Sequence, residues 1–322
     1  MDFRETIRKN NTRTKLVIGT YVFIMLLVGL LADVAIRPIY PHSLTASMLG
    51  YLKLMQVPYV TLVVLAATGI GIFAISKFGH KMMLSGSQYK YLDPVETSGL
   101  SPEEKKIVNM IQEMSLSAGL PYIPKAYILE TDDMNAFAAG WNADNALVGV
   151  TRGLMNSLSR SEAQAVIAHE VGHIIHGDSK LTLYVGILAN VILTFTNIFA
   201  NFAIFFTGGR NSEASNKARL LLIVLNLILP IITQVLYLYL SRTREYMADA
   251  AAVQLTGDNQ AMISALKKIS GYHEEHDGER EDVTKVGEHY RSAAYIFNKG
   301  DSVFSTHPSI ENRIKKLNGD KV

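Results

Sequence analysis

The chain contains no cysteine, which excludes disulfides and any zinc site built on thiolates. The same absence agrees with a reducing compartment for the soluble part. Excess charge is also lacking: 31 Lys and Arg stand against 29 Asp and Glu, a formal net charge of +2. That balance gives no footing for nucleic-acid binding, and no basic stripe with interleaved aromatics runs through the polar segments. There is no internal repeat and no low-complexity tract. No prenylation box is expected, because the sequence ends Gly319-Asp320-Lys321-Val322. Apolar residues, by contrast, are abundant. They make up 48% of 322 residues, and the mean hydropathy is positive, so membrane segments are expected.

Four apolar runs are long enough to span a bilayer: 16–36, 58–78, 181–207 and 220–240. The first is broken late by Asp33. It is long for a signal peptide, and no small-residue cleavage pattern precedes Arg37-Pro38, so it reads as a span. The third and fourth read as spans or as a buried hairpin that crosses only partly. A polar stripe on each (Asn190, Thr194, Asn197, Asn201; then Asn226, Thr233, Tyr237) reads as interhelical hydrogen bonding rather than a wet cavity. Arg4, Arg8, Lys9, Arg13 and Lys15 precede the first run, and Lys77, Lys81 and Lys90 lie at or beyond the end of the second. Only Arg37 and Lys53 lie between the two. Positive-inside counting then places the N-terminus and the polar regions in the cytoplasm. The expected organisation is an N-terminal tail (1–15), two spans, a soluble part (79–180), two more hydrophobic helices, and a second soluble part (241–322).

Within the soluble part, 125–129 and 146–150 read as strands around a turn-rich section holding Asn142-Ala143-Asp144-Asn145. The polar stretch 271–288 reads as a mobile loop or exposed helix. Its His273/His276 and Glu274/Glu275 pairs lack helical metal-ligand spacing and read as solvated.

The densest chemistry is His169-Glu170-Val171-Gly172-His173. Ser159 with Glu162 three residues on is a capping-box signature, apolar residues come after it at helical spacing, and Gly177 is a natural stop. The two imidazoles therefore share one helix face and can bind one metal ion, with Glu170 able to reach a metal-bound water as general base. His176 lies about 10 Å from His169 along the axis, too far to join them. Ser179 stands where a longer version of the motif needs a third His. Glu245 and Asp249, four apart on an Ala-rich helix, supply the missing pieces: a carboxylate ligand, and an Asp that fixes a ligand His tautomer. Taken alone, that helix would read as exposed, its acids balanced by Arg242 and Arg244.

These motifs resemble the HtpX group of membrane zinc metallopeptidases, related to the CAAX-processing prenyl proteases. The resemblance runs through two N-terminal spans, Asn135-Ala136-Phe137-Ala138, His169 to His173 with Gly177-Asp178, a hydrophobic hairpin, Arg244 to Asp249, and Thr306-His307-Pro308-Ser309 with Arg313. It implies a mainly α integral membrane protein: four hydrophobic helices and a cytoplasmic, gluzincin-like zincin domain with a small β-sheet. It also implies a zinc endopeptidase of the bacterial inner membrane, acting on unfolded or membrane-protein substrates in quality control. One Zn2+ per chain is expected on His169, His173 and Glu245. By the same analogy His307 stabilises the transition state, with Arg313 as its supporter or a substrate contact. From the sequence alone, His307-Pro308 is a turn before a short helix. Asn135, Ala136, Phe137 and Ala138 resemble the family's substrate-binding stretch, which is otherwise an ordinary hairpin segment. Two other readings are a metal-binding membrane adaptor, which an intact Glu170 opposes, and a dedicated CAAX-type processing enzyme, for which four spans enclose too little space.

Overall fold

The computed structural model describes residues 3–85, 88–140, 142, 144–181, 184, 194, 197–198, 201, 212–239, 243–276, 296 and 308–320. Along the chain these form α1 (Phe3–Ile36), α2 (Leu44–Leu52), α3 (Tyr59–Leu84), β1 (Tyr89–Leu92), α4 (Pro102–Ser117), β2 (Lys125–Leu129), β3 (Ala136–Ala139) and β4 (Leu147–Thr151). After them come α5 (Arg152–Ser157), α6 (Arg160–His176), α7 (Glu213–Tyr239), α8 (Thr243–Thr256), α9 (Asn259–Glu275) and α10 (Ile310–Leu317). Two compact units emerge. One comprises residues 1–14, 77–183 and 237–322; the other, 15–76 and 184–236.

The first unit is built on a four-stranded sheet of order β1-β2-β4-β3. β2 and β4 run parallel, and the two outer pairs are antiparallel. Tyr127 of β2 lies against Tyr89 and Tyr91 of β1 at ring-centroid distances of 5.8 and 5.3 Å. The core gathers Ile107, Met110, Ile111 and Met114 of α4, Ile128, Val148 and Val150 of the sheet, Val166, Ile167 and Val171 of α6, and Met262, Leu266 and Ile269 of α9. Helix α6 starts at the expected place: Ser159 and Glu162 form a capping box. Glu162 also accepts from Lys268 at 2.7 Å and Ser264 at 2.6 Å, tying α9 to the start of α6. Burial opposes its charge, but these bonds prevail and hold its carboxyl at about 2.

The strands at 125–129 and 147–151 lie within one residue of their expected positions, whereas β1 and β3 are not separately legible in the sequence. In the described part of the stretch from 271, a helix with Glu274, Glu275 and His276 exposed matches the expectation, and only His273 departs from it. Residues 271–275 continue α9, and His273 is buried, its Nε2 3.1 Å from the Met134 carbonyl and its Nδ1 3.6 Å from Asp133. It pins the approach to β3 instead of facing solvent.

In the second unit, Val28, Leu31, Val34 and Ala35 of α1 pack with Tyr51 of α2 and with Ala214, Ala218 and Leu222 of α7. Three described helices are long and apolar enough to cross a membrane, by length and composition: Arg8–Ile36, Tyr59–Lys81 and Glu213–Ile232. The first helix begins at Phe3, so most of the expected tail is helical. Most of the apolar run 181–207 lies outside the described residues, as do Asn190 and the side chains of Thr233 and Tyr237. Of the described stripe residues, Thr194, Asn197 and Asn201 are exposed.

Asp33, the acid inside an apolar helix, has a structural explanation. Its oxygens accept from the N–H groups of Val60 and Thr61 at 3.1 and 2.9 Å and from the Thr61 hydroxyl at 2.7 Å. It thereby caps α3 from a neighbouring helix, a carboxylate at the positive end of a helix dipole. Asp33→Ala should leave those donors unpaired and cost about 1.5–3 kcal/mol, seen as a lower Tm in detergent; an unchanged Tm would remove Asp33 from this role.

Candidate metal centre

The site is assembled where α6 crosses α8, and the crossing depends on small residues. A Cβ added to Gly172 would sit 3.1 Å from the Ala251 methyl and 3.4 Å from the Ala248 backbone. The glycine between Val171 and His173 thus lets α8 come close enough to present Glu245 to the two imidazoles. The Ala-rich run 248–252 serves the same approach from the other side.

The Nε2 atoms of His169 and His173 are 3.2 Å apart. Glu245 oxygens lie 3.6 Å from the first and 3.7 Å from the second. Tetrahedral zinc with bonds of about 2.0–2.1 Å holds its ligand atoms about 3.3–3.4 Å from each other. Among the described residues these three form the one cluster of His, Cys, Asp or Glu side chains suited to a metal.

The carboxylate behind each imidazole decides which nitrogen faces the cluster. Asp249 is 2.9 Å from Nδ1 of His169, and Asp178 is 3.0 and 3.2 Å from Nδ1 of His173. Carboxylates accept, so each ring carries its proton on Nδ1 and turns a bare Nε2 lone pair toward the other ring and toward Glu245. Three lone pairs converging in a buried space repel one another unless a cation sits among them. Charge leads to the same conclusion. Glu170, Asp178, Glu245 and Asp249 are buried, and among the described residues only Arg244 and Arg313 are buried cations beside them. That leaves two negative charges, which a divalent ion neutralises. The residues present therefore fit zinc. In the bare cluster, protons are drawn in instead: burial works against it, yet Asp178 and Glu245 raise His173 to about 9.

Asp178 stands in the sequence as part of a motif, with nothing to mark its partner. Gly177 adopts a left-handed conformation, φ 67°, and its N–H returns to the last turn of α6. That reversal brings Asp178 back onto His173. Burial resists its charge, but His173 and Arg244 keep its carboxyl below the usual range. Asn10, near the start of α1, steadies the same corner by donating to the His176 carbonyl at 2.9 Å. Asp178→Ala should weaken zinc retention by about 10–100-fold in competition with a fluorescent chelator; wild-type affinity would show that Asp178 does not orient His173.

Arg313, expected together with Asp249 behind the ligands, as a supporter of His307 or as a substrate contact, has its place defined by its ion pair. It is fully buried, donating from Nε at 2.9 Å and Nη2 at 2.6 Å to the two oxygens of Asp249. Its Nη1 donates to the Ile296 carbonyl at 3.0 Å. It is therefore no surface contact for substrate but the clamp on the residue that orients His169. Burial opposes the charge of Asp249, and Arg313 overcomes that opposition, holding the carboxyl below its ordinary range. His307, the expected partner of Arg313, lies outside the described residues.

Glu170 is fully buried, and neither oxygen has a hydrogen-bond partner among the described residues. Burial pushes its carboxyl up from the usual range, as suits a group that must exchange a proton. The most open of the three metal-facing side chains is His173, 14% exposed.

Asn135 to Ala138 lie on β3 and its approach, an edge strand beside α6, and all four are buried. The Asn135 carboxamide oxygen accepts from the Ala136 N–H at 3.1 Å, and its carbonyl faces β4 through Thr151. The Ala136 carbonyl points the other way and accepts from the Ile296 N–H at 3.0 Å. By strand alternation the Ala138 peptide groups also point away from β4. Ile296, which no sequence signal marks, thus joins the strand edge to Arg313.

The model of peptidase family M48 matches residues 101–321. A protease HtpX homolog of Helicobacter acinonychis is 42% identical over 318 residues, covering 98% of each chain. One from Listeria monocytogenes is 36% identical over 221 residues, covering 64% of this chain and 71% of its own. Among solved structures, the crystal structure of S. mikatae Ste24p aligns at a TM-score of 0.47 and 18% identity. That alignment covers 97% of this chain and 66% of the other, just under two thirds of its length. The full-length similarity to HtpX proteases and the match to the family model establish that this chain belongs to peptidase family M48.

Proposed function

We propose that the protein is a membrane-bound, zinc-dependent endopeptidase that hydrolyses peptide bonds of misfolded or membrane proteins at the cytoplasmic face. The observation that carries this reading is the convergence of His169, His173 and Glu245, their donor atoms 3.2–3.7 Å apart, beside a buried Glu170 that has no hydrogen-bond partner among the described residues. Zinc, when bound, supplies Lewis acidity that activates water and polarises the scissile carbonyl. The chain's own residues do the rest. Glu170 takes the proton from the attacking water and passes it to the departing amine. Asp249, clamped by Arg313, and Asp178 keep the imidazoles in the ligating tautomer. His307 is the proposed donor to the developing oxyanion, by the family resemblance. An extended substrate segment pairs with the outward edge of β3 near Ala138. The basic residues flanking the first two apolar helices support a cytoplasmic site and an inner-membrane location. A role in protein quality control is the resemblance's contribution.

Metal removal tests the reading. Purified in detergent, the protein should cleave an unfolded polypeptide, lose that activity to a zinc chelator and regain it with one equivalent of Zn2+. Undiminished cleavage after zinc has been stripped, verified by elemental analysis, would refute it.

A further inference from the structure

The connection between the first two apolar helices has its polarity reversed. Its inward side carries the hydrogen bonds. Ser43 caps α2, and the Ser47 hydroxyl donates to the Tyr40 carbonyl and accepts from the Tyr40 N–H, both at 2.9 Å. The Tyr51 hydroxyl donates to the Arg37 carbonyl. Ser47, Gly50 and Tyr51 form the buried face, so the orientation of the helix is fixed. The outward side is apolar: Leu49 is 54% exposed, Leu52 56%, Leu54 74%, Met55 58% and Val57 46%. Thr45 is the polar exception on that face. In water a nine-residue surface helix shows the opposite pattern, apolar inward and polar outward.

The turn after α2 strengthens the case. The N–H of Met55 bonds to the Gly50 carbonyl and that of Leu54 to the Tyr51 carbonyl, each at 3.0 Å. This is a Schellman ending, whose left-handed position is usually glycine. Here it is Leu54, at φ 55°, the one non-glycine residue with positive φ among the described residues. A branched side chain held in that conformation and aimed outward has no packing partner among the described residues that explains it. Basic groups and aromatics flank the patch: Arg37 sits over the Tyr59 ring at 5.8 Å, and Lys53 is exposed at the end of α2. Apolar side chains bounded by basic and tyrosine side chains match the boundary between acyl chains and phosphate headgroups.

We propose that α2 and the turn after it lie within the lipid headgroup–acyl boundary, Leu49, Leu52, Leu54, Met55 and Val57 in contact with lipid. The proposal rests on reading α1 and α3 as membrane spans. Continuity favours lipid over another occupant, because α2 joins the ends of those two helices through connections of only a few residues.

The absence of cysteine makes the test clean. Single-cysteine variants Leu54→Cys and Leu49→Cys, labelled with an environment-sensitive fluorophore, are placed in phosphatidylethanolamine/phosphatidylglycerol nanodiscs. Ile70→Cys in α3, 70% exposed, reports on the span, and Glu311→Cys in α10, 76% exposed, on water. The labels at 49 and 54 should be quenched several-fold more strongly by headgroup-proximal spin-labelled lipid than by iodide, and the label at 311 the reverse. Iodide quenching at 49 and 54 with lipid quenching at 70 would overturn the α2 proposal alone. Iodide quenching at 70 would overturn the span reading and the proposal with it. Protection of 49 and 54 from both quenchers, with disulfide cross-linking between unlabelled Leu54→Cys chains, would assign the face to a second copy and overturn lipid contact.

Discussion

Glu170→Gln is expected to lower kcat for an unfolded polypeptide by about 10²–10⁴-fold while leaving bound zinc at the wild-type amount. The two halves of that expectation come from different atoms. Zinc would be held by His169, His173 and Glu245, whose mutual distances do not involve Glu170. Proton transfer needs a carboxylate that can accept a proton, and Glu170 is fully buried with neither oxygen hydrogen-bonded among the described residues. A glutamine of nearly the same shape fills the same buried space and removes only the base. Metal content and cleavage measured on one preparation separate the two effects. Loss of both would make Glu170 a structural acid, and loss of neither would remove it from the chemistry.

Arg313→Met should be the most destabilising substitution near the site. Asp249 is 2% exposed, and Arg313 neutralises it through two bonds of 2.9 and 2.6 Å. Breaking such a buried pair from one side leaves an uncompensated charge and costs about 3–5 kcal/mol. The loss should also reach the metal: without the clamp, Asp249 no longer holds His169, and zinc affinity should fall about 10–100-fold. Arg313→Lys should recover only part of both, since an ammonium cannot reproduce the paired fork. Thermal unfolding with and without zinc checks this, and a Tm within error of wild type would show that Arg313 does not carry the compensation of the Asp249 charge.

The legibility of this site in the sequence tracks the distance over which each part is encoded. His169, Glu170 and His173 share one turn of helix, and helical period alone places them on neighbouring positions. Glu245 and Asp249 are legible for the same reason, four residues apart on an Ala-rich helix. Asp178 is only five residues from His173, but the chain reverses at Gly177 between them, and helical spacing loses its meaning beyond a left-handed turn. Arg313 meets Asp249 across 64 residues, and no local pattern distinguishes a clamp from a surface arginine. His273 looks solvated in sequence because its neighbours are charged, whereas tertiary packing buries it against the loop before β3. In the sheet, the largely apolar β2 and β4 are visible. β1 is only four residues long, too short for its alternation to stand out, and the four-residue, Ala-rich β3 carries little β-propensity. α2 is hidden between two stronger apolar signals, and its inverted polarity emerges only once its buried face is known.

The most direct test of the central claim is zinc K-edge X-ray absorption on the purified, zinc-loaded protein compared with Glu245→Ala. Two imidazoles and oxygen donors at about 2.0–2.1 Å, with the variant failing to retain stoichiometric metal through gel filtration, is the result expected. A wild-type spectrum without imidazole scattering, or a variant spectrum and zinc content identical to wild type, would contradict the assignment of His169, His173 and Glu245 as the metal centre.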